Sequence, residues 1–327
     1  MNTKTALLQL LEAHKETYLS GEAVAASLQI SRNAVWKAMQ ELRKEGHVIE
    51  AVPRKGYRMS SASDVLTEEG IRFWLQEECQ EVPLQVFESL PSTNTTAKEM
   101  AINGAAHGSV LLAKEQTQGR GRFNRNFCSP QGGLYMSLIV RPQQVHLENP
   151  TLLTLYAAVV VCEVIEELTG QAPEIKWVND IFLNDKKICG ILTEAAMDYE
   201  SASVQWVVLG IGLNLYTEER QFPKALRDVA GSVCPGGSSG LTRNRFAAAI
   251  ISHLLRGWER LASRDTLLKA YKARLSMLGR QVLVTQGIRQ YTATALDLDA
   301  DGHLLVETEE GERVYLSSGE VSVRRER

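Results

Sequence analysis

Apolar residues recur along this chain first at helical spacing and then at strand spacing, and the changeovers divide it into three stretches. Ala6, Leu7, Leu10 and Leu11 share one face of a helix predicted over residues 5–14, and a second short helix is predicted over 21–28. The turn Gln29-Ile30-Ser31 follows, with Ser31 placed to cap a third helix and Ile30 and Val35 spaced as a hydrophobic staple. That helix runs to Glu45 and stops at Gly46, with Val35, Met39 and Leu42 as its buried stripe and Trp36 read as core. Strand-like pieces at 48–52 and 57–59 flank the turn Pro53-Arg54-Lys55-Gly56. The order is that of a winged helix-turn-helix over residues 1–62.

Ser60 to Asp64 reads as a short polar linker. Beyond it the two periodicities alternate, with helices predicted at 68–78, 94–103, 150–168, 243–262 and 265–275. Strands are predicted at 85–88, 109–114, 133–141, 174–183, 187–195 and 204–212. A mixed α/β sheet domain over 63–276 accounts for this order. Residues 277–327 hold five short strands broken by Asp299-Ala300-Asp301-Gly302 and Glu310-Gly311, the pattern of a small SH3-like β-barrel. The fold class is α+β.

A length of 327 residues with 44% apolar content suits two or three domains with real cores. No apolar run reaches membrane-spanning length and the first residues lack a signal-peptide core, so a cytoplasmic protein with no membrane partner is expected. The five cysteines are an odd number without C-x-x-C spacing, which argues for reduced thiols over disulfides or zinc. The net charge of −3 conceals an asymmetry: residues 30–60 carry +4 and the remainder −7. A basic cluster on an acidic protein points to one region that meets a polyanion. A helix led by Ser31, Arg32 and Asn33, with Lys37 a turn further on, can offer its first turns to base edges and phosphates. Arg54 and Lys55 of the wing would reach the DNA backbone. A three-helix interaction domain with solvated lysines is the competing reading.

The chemistry concentrates in the middle stretch. Gln116-Thr117-Gln118-Gly119-Arg120-Gly121-Arg122 is a glycine-spaced basic run between two strands, suited to holding an anion. Ser92-Thr93-Asn94 stands at a helix start, where it could cap the helix or satisfy a polar ligand ring. Lys176-Trp177-Val178-Asn179-Asp180 ends a strand with an amide and a carboxylate, suited to Mg²⁺ or nucleotide hydroxyls. Strict alternation would point Asn179 and Asp180 to opposite faces, so a bulge is needed if both line one pocket. Lys187 precedes Gly190 by three residues, and Gly210-Ile211-Gly212-Leu213-Asn214 repeats the device of glycine inside a strand. Bare backbone at these positions would line a flat apolar slot. The spacing fails the dinucleotide pattern G-x-G-x-x-G, which excludes a Rossmann reading.

Ser-Thr-Asn, Gly-Arg-Gly-Arg, Lys-Trp-x-Asn-Asp, Lys-Ile-x-Gly-Ile-Leu-x-Glu and Gly-Ile-Gly-Leu-Asn stand here in the order and spacing of biotin protein ligases. With its winged helix the whole chain resembles the bacterial bifunctional form, biotin ligase and biotin operon repressor. The resemblance implies that biotin and ATP, with Mg²⁺, give biotinyl-5′-AMP, and that the biotinyl group passes to a lysine of a biotin carboxyl carrier domain. It implies that Ser92, Thr93, Asn94 and Gln116 hold the biotin ureido ring, over a floor of Gly190, Gly210 and Gly212. Arg120, Gly121 and Arg122 would close over biotin and the phosphates, and Lys187 would contact the carboxylate and α-phosphate. Arg120, Arg122 and Lys187 are thus the catalytic candidates. Asn179, Asp180 and Asn214 would fall to ATP, with Asp180 on the metal, and Glu320 and Arg324 would add a contact from the barrel. Phe222, after the Asn214 strand, reads either as an adenine-stacking residue of the ATP site or as a core or lid residue. Operator DNA and a homodimer formed when the adenylate is bound complete the implied partners. The chain departs from the family at Asn124, where a glycine is expected, and at Phe127, where a tryptophan is expected. A transcription factor that only senses a ligand and a lipoate ligase are the rival readings.

Overall fold

In the computed structural model residues 3–147, 149–198, 203–237 and 240–323 are described, so Arg324 lies outside the described residues. The chain divides into two compact units, residues 1–81 with 236–252 and residues 82–235 with 253–327.

The first unit opens with helices α1 (Thr3–Ala13), α2 (Gly21–Leu28) and α3 (Arg32–Lys44) and the hairpin β1 (Ile49–Val52) and β2 (Gly56–Met59). The Ser20 and Ser31 hydroxyls accept the Ala23 and Ala34 amide protons and start α2 and α3, each cap contributing about 1 kcal/mol. Leu7, Leu11, Val35, Met39, Leu42 and Met59 form the core. Trp36 is not part of it: the indole is 54% exposed, beside Asn33 and Lys37 on the outer face of α3. One residue past Val35 is about 100° round the helix, and Ala38 completes the buried stripe instead.

The polar stretch after the wing is not a free tether. Ser63 is buried and its hydroxyl accepts the Val48 amide proton, while Asp64 accepts from the backbone and guanidinium of Arg243 at 2.7 and 2.6 Å. Helix α4 (Glu68–Trp74), capped by Thr67, is shorter than the pattern predicts because the backbone turns extended at Leu75.

In the second unit a seven-stranded sheet has the order β3-β4-β5-β9-β8-β7-β6. Its strands are β3 (Leu84–Leu90), β4 (Val110–Gln116), β5 (Leu134–Val140), β6 (Glu174–Lys176), β7 (Asp180–Leu183), β8 (Lys186–Asp198) and β9 (Ser203–Leu213). Only the β3–β4 pair is parallel. The stretch 174–183, expected as one strand, is two: the chain reverses over Trp177-Val178-Asn179, a turn without glycine or proline, and Lys176 pairs with Asp180 across it. The buried Trp177 indole donates to the Gly302 carbonyl at 2.9 Å and fixes the reversal.

Helix α5 (Thr93–Ile102) lies on one face of the sheet, with Ala97 and Ala101 against Leu111, Ile139, Trp206 and Val208. After the short α6 (Pro142–Val145) comes α7 (Pro150–Thr169), apolar on nearly every side and buried against the opposite face, where Thr154 and Thr193 hydroxyls meet at 2.7 Å. The face under α5 carries Gly210 against Asn94 of that helix, and beyond it Gly190 and Gly212, where Phe127 of the loop between β4 and β5 supplies the cover. Helices α8 (Arg243–Arg256), α9 (Glu259–Ala262) and α10 (Arg264–Lys272) follow.

The C-terminal strands β10 (Gln281–Gln286), β11 (Arg289–Leu298), β12 (Leu304–Thr308), β13 (Arg313–Leu316) and β14 (Glu320–Val323) form an antiparallel sheet in the order β13-β12-β11-β10-β14. It wraps around Val282, Val284, Ala293, Ala295, Leu304, Val306, Leu316 and Val321. No helix among the described residues is long and apolar enough to cross a membrane.

Candidate active site

Residues directly opposite in an antiparallel ladder share a face of the sheet. Tyr135, Gly212, Gly190, Asp180 and Lys176 are opposite one another in turn across β5, β9, β8, β7 and β6. They form a single row that begins with an aromatic ring, passes over two bare glycines and ends in a carboxylate and an ammonium. Two residues along, Ser137, Gly210 and Leu192 make a second row on the same face. The loop from β4 to β5 and the N-terminus of α5 lie over these rows.

At the second row the polar candidates come together. The Ser137 hydroxyl donates to Asn94 Oδ1 at 2.7 Å and touches Thr93 Oγ1 at 2.8 Å. Asn94 Nδ2 donates to Leu192 O and Glu194, and Glu194 also takes Lys98 at 2.7 Å. Burial pushes Glu194 up, but the hydrogen bonds from Lys98 and Asn94 outweigh it and hold this carboxyl below its ordinary value. Gln116 Oε1 accepts the Thr93 amide proton at 2.8 Å and its Nε2 donates to Ser129. Ser92 occupies the N-cap position of α5 without a capping bond, so the amide of Gln116, from β4, does the capping. Ser129 and Ser137 were missed in the sequence, because lone serines within a loop and a buried strand carry no motif.

The first row is occupied from within the chain. A Cβ on Gly212 would stand 2.5 Å from Phe127 Cε1, and one on Gly190 3.0 Å from Cε2, so the Phe127 ring lies directly on the glycine floor. Tyr135 meets its edge at 6.5 Å, and Lys187 Nζ stands 5.9 Å from its centroid. Asn124 takes φ +57°, the left-handed conformation that glycine supplies elsewhere and asparagine tolerates. Asparagine thus stands at a backbone position that glycine also suits.

Past Phe127 opens a cavity of about 150 Å³ lined by Arg120, Gly121, Arg122, Arg125, Lys176, Asn179, Asp180, Lys187 and Glu320. Reversal of the chain between β6 and β7 is what lets Asn179 and Asp180 both face it, where an unbroken strand would have sent them apart. Lys187 Nζ pairs with Asp180 at 2.6 Å, and Arg125 from the loop holds Glu320 of β14 through both nitrogens, at 3.1 and 2.5 Å. That hydrogen-bonded pair holds the Glu320 carboxyl below its ordinary value. Among the described residues Arg122 donates to Asn179 Oδ1 at 3.2 Å, and burial lowers its pKa. Arg120 is exposed and reaches Asn124 at 3.4 Å. Five cations thus face two carboxylates, an excess suited to a polyanion.

Asn214 and Phe222 are not among the residues lining this cavity. Both are buried; Asn214 Nδ2 donates to Gly231 O at 3.0 Å, while its Oδ1 has no partner among the described residues. No cluster of three or more His, Cys, Asp or Glu side chains among the described residues could hold a metal. Magnesium is commonly held by one or two carboxylates together with substrate phosphates. Asp180 fits an ion that arrives with a triphosphate, not a resident one. In the first unit Asn33, Lys37, Arg54 and Lys55 are exposed, Arg32 pairs with Glu22 at 2.6 Å, and the Ser31 hydroxyl is taken by its cap.

Three family models match the chain: an HTH domain over residues 3–58, the biotin/lipoate A/B protein ligase family over 86–214, and a biotin protein ligase C terminal domain over 277–324. The chain is 38% identical over 319 residues to the bifunctional ligase/repressor BirA of Bacillus subtilis, covering 94% of this chain and 95% of that protein. It is 29% identical to the bifunctional ligase/repressor BirA of Escherichia coli, covering 99% and 98%. Among solved structures it is similar to the biotin protein ligase from Aquifex aeolicus in complex with biotin and ATP, with a TM-score of 0.62, 26% identity, and coverage of 74% of this chain and 99% of that one.

Proposed function

The chain belongs to the biotin protein ligase family, in its bifunctional ligase/repressor form, and from that premise we propose how its residues divide the work. The reaction joins biotin to ATP, releasing pyrophosphate, and then passes the biotinyl group of biotinyl-5′-AMP to a lysine of a biotin carboxyl carrier domain. Biotin takes the glycine floor of Gly190, Gly210 and Gly212, its ureido ring against Ser92, Thr93, Asn94 and Gln116. This puts its carboxylate toward Lys187. The observation that carries the reading is two adjoining rows on one sheet face, the second holding the polar cluster and the first passing over two glycines to an unbalanced cationic cavity.

Adenylation brings a carboxylate against a triphosphate, so fixed cations must offset the repulsion between like charges. Arg120 and Arg122 neutralise the phosphates, and Lys187 bridges the attacking carboxylate and the α-phosphorus. Gly121 gives the loop room to approach. Asp180, with Asn179 beside it, would hold Mg²⁺, which would supply positive charge to offset that of the phosphates. Asn214 offers to a donor of the nucleotide its Oδ1, which has no partner among the described residues. Phe222 and Arg324 stay as further nucleotide candidates, and Glu320 acts through Arg125. A cavity of about 150 Å³ is smaller than the usual 300–1,000 Å³ of ligand sites. Phe127 must leave the floor before biotin can lie on it.

The winged helix, residues 1–62, binds operator DNA through Asn33, Lys37 and the N-terminal turn of α3, with Arg32, Arg54 and Lys55 on phosphates and Ser31 setting the turn. Residues 63–276 form the catalytic domain and 277–327 the barrel. Binding of biotinyl-AMP reorganises the loop, favours a homodimer and so pairs two winged helices on a palindromic site. Labelled biotin, ATP and a carrier domain test the reading directly. Transfer of label to the carrier lysine is expected, and its absence with an intact fold would overturn it.

A further inference from the structure

The cavity's charges are not evenly matched. Lys187 and Arg125 each hold a carboxylate, whereas Lys176 makes no ion pair among the described residues. Its Nζ donates to the Ser322 hydroxyl of β14 at 3.1 Å and lies 5.8 Å from the Phe182 ring. Lys176 is half-buried, and a cation drawn from water against one neutral hydroxyl is poorly compensated. An anionic ligand would supply what is missing. Its place in the row adds a direction, since strands lie about 4.8 Å apart and Lys176 stands three strands beyond Gly212. A ligand laid along the row from the glycine floor therefore directs its anionic end toward Asp180 and Lys176, some 14 Å away.

We propose that Lys176, held by Ser322 of the barrel, is an additional catalytic residue of adenylation: the cation that takes the leaving pyrophosphate. The proposal rests on the ligase reading above. In the step, a biotin carboxylate oxygen bonds to the α-phosphorus and the bond from that phosphorus to the bridging oxygen breaks, its electron pair departing with pyrophosphate. Lys176 donates a hydrogen bond to the oxygens that gain charge and keeps its proton. Lys187 serves the attacking side and Lys176 the departing side. Burial lowers the Lys176 pKa from its ordinary value, consistent with an ammonium awaiting a counter-ion.

The test uses the full chain and separates the two half-reactions. Lys176→Gln keeps a donor for Ser322 but removes the charge, and Lys176→Arg restores charge. Biotin-dependent ATP–pyrophosphate exchange should fall by about 100-fold in Lys176→Gln, the size of effect seen when one transition-state donor is lost, with substantial recovery in Lys176→Arg. Transfer from presynthesised biotinyl-AMP to the carrier domain should stay within about twofold of wild type, since no pyrophosphate leaves in that step. Unchanged exchange in Lys176→Gln, or an equal fall in both half-reactions, would overturn the assignment; the second result would make Lys176 only an anchor for the barrel. A wild-type protein without biotin-dependent exchange would instead sink the ligase reading beneath it.

Discussion

Gly210→Ala is a sensitive probe of the polar cluster, because the floor there is bare for a steric reason. An added Cβ would stand 2.7 Å from Asn94 Cγ and 2.9 Å from Nδ2, and nearer still to Oδ1. Ordinary contact needs about 3.5 Å, so the carboxamide must recede by roughly 1 Å or more. Asn94 is buried and held by Ser137 at 2.7 Å, Leu192 O at 3.1 Å and Glu194 at 2.9 Å, and that shift breaks all three bonds. Two neutral bonds at about 1 kcal/mol and one to a carboxylate at about 2 give roughly 4 kcal/mol. Replacing a strand glycine returns about 0.5–1 kcal/mol, leaving about 3 kcal/mol of destabilisation. The same displacement removes Asn94 from the proposed biotin ring, which at about 1.4 kcal/mol per tenfold predicts a 10- to 100-fold weaker biotin affinity. Urea unfolding and titration calorimetry with biotin read the two effects. Asn94→Ala relieves the clash, so the double variant should be no less stable than Asn94→Ala alone. A Gly210→Ala protein with wild-type unfolding midpoint and biotin Kd would refute the packing argument.

Three further outcomes follow from the geometry. Phe127→Ala empties the floor of a ring whose burial contributes about 1.5 kcal/mol, so biotin association measured by stopped flow should accelerate by about tenfold, and an unchanged rate would mean that the ring does not compete with ligand. The Arg141 amide donates to His107 Nδ1, and burial followed by the Arg141 charge lowers the His107 pKa below its ordinary 6.5. A folded pKa below the unfolded one gives stability that is present above pH 6.5 and lost as pH falls through the folded value. Unfolding midpoints should therefore decline below pH 6.5 in wild type and less steeply in His107→Asn; parallel profiles would refute the sign. Trp36→Ala should leave the unfolding free energy within about 0.5 kcal/mol of wild type yet weaken operator binding in a mobility-shift assay, and equal DNA affinity would remove the indole from the interface.

What was legible in the sequence depended on whether a single residue type dictates the local geometry. Ser31 could be placed as a cap because a hydroxyl at that position has one strong use, and the structure has it accepting from Ala34. The reversal between β6 and β7 was invisible because Trp177-Val178-Asn179 has no glycine or proline and its asparagine sits beside two strand-favouring residues; it is fixed by tertiary contact, the Trp177 indole on Gly302 O. That hidden turn also explains why strict alternation argued against Asn179 and Asp180 sharing a cavity when they do. Trp36 was misplaced because large aromatics are usually buried, whereas its helical angle put it off the stripe. Ser60 to Asp64 looked like a linker by composition, but Ser63 and Asp64 are spent on buried and paired hydrogen bonds. Composition does not distinguish a tether from a strap whose polar groups all have partners.

The loop between β4 and β5 joins the two halves of the site mechanically. Phe127 on the glycine floor, Arg125 on Glu320 and Arg122 against Asn179 lie within six residues, a span of at most about 20 Å even when extended. Gly119 fixes the base of this excursion, since a Cβ there would meet Ser129 Oγ at 2.6 Å and block the Gln116–Ser129 contact. With its base pinned, the loop cannot withdraw Phe127 from the floor while leaving both arginines undisturbed. Entry of biotin at one end of the row therefore perturbs the charge pairing at the other, where the triphosphate must bind. That linkage makes the aromatic occupant and the phosphate cations parts of one switch, and it predicts positive coupling between biotin and ATP that Phe127→Ala should weaken.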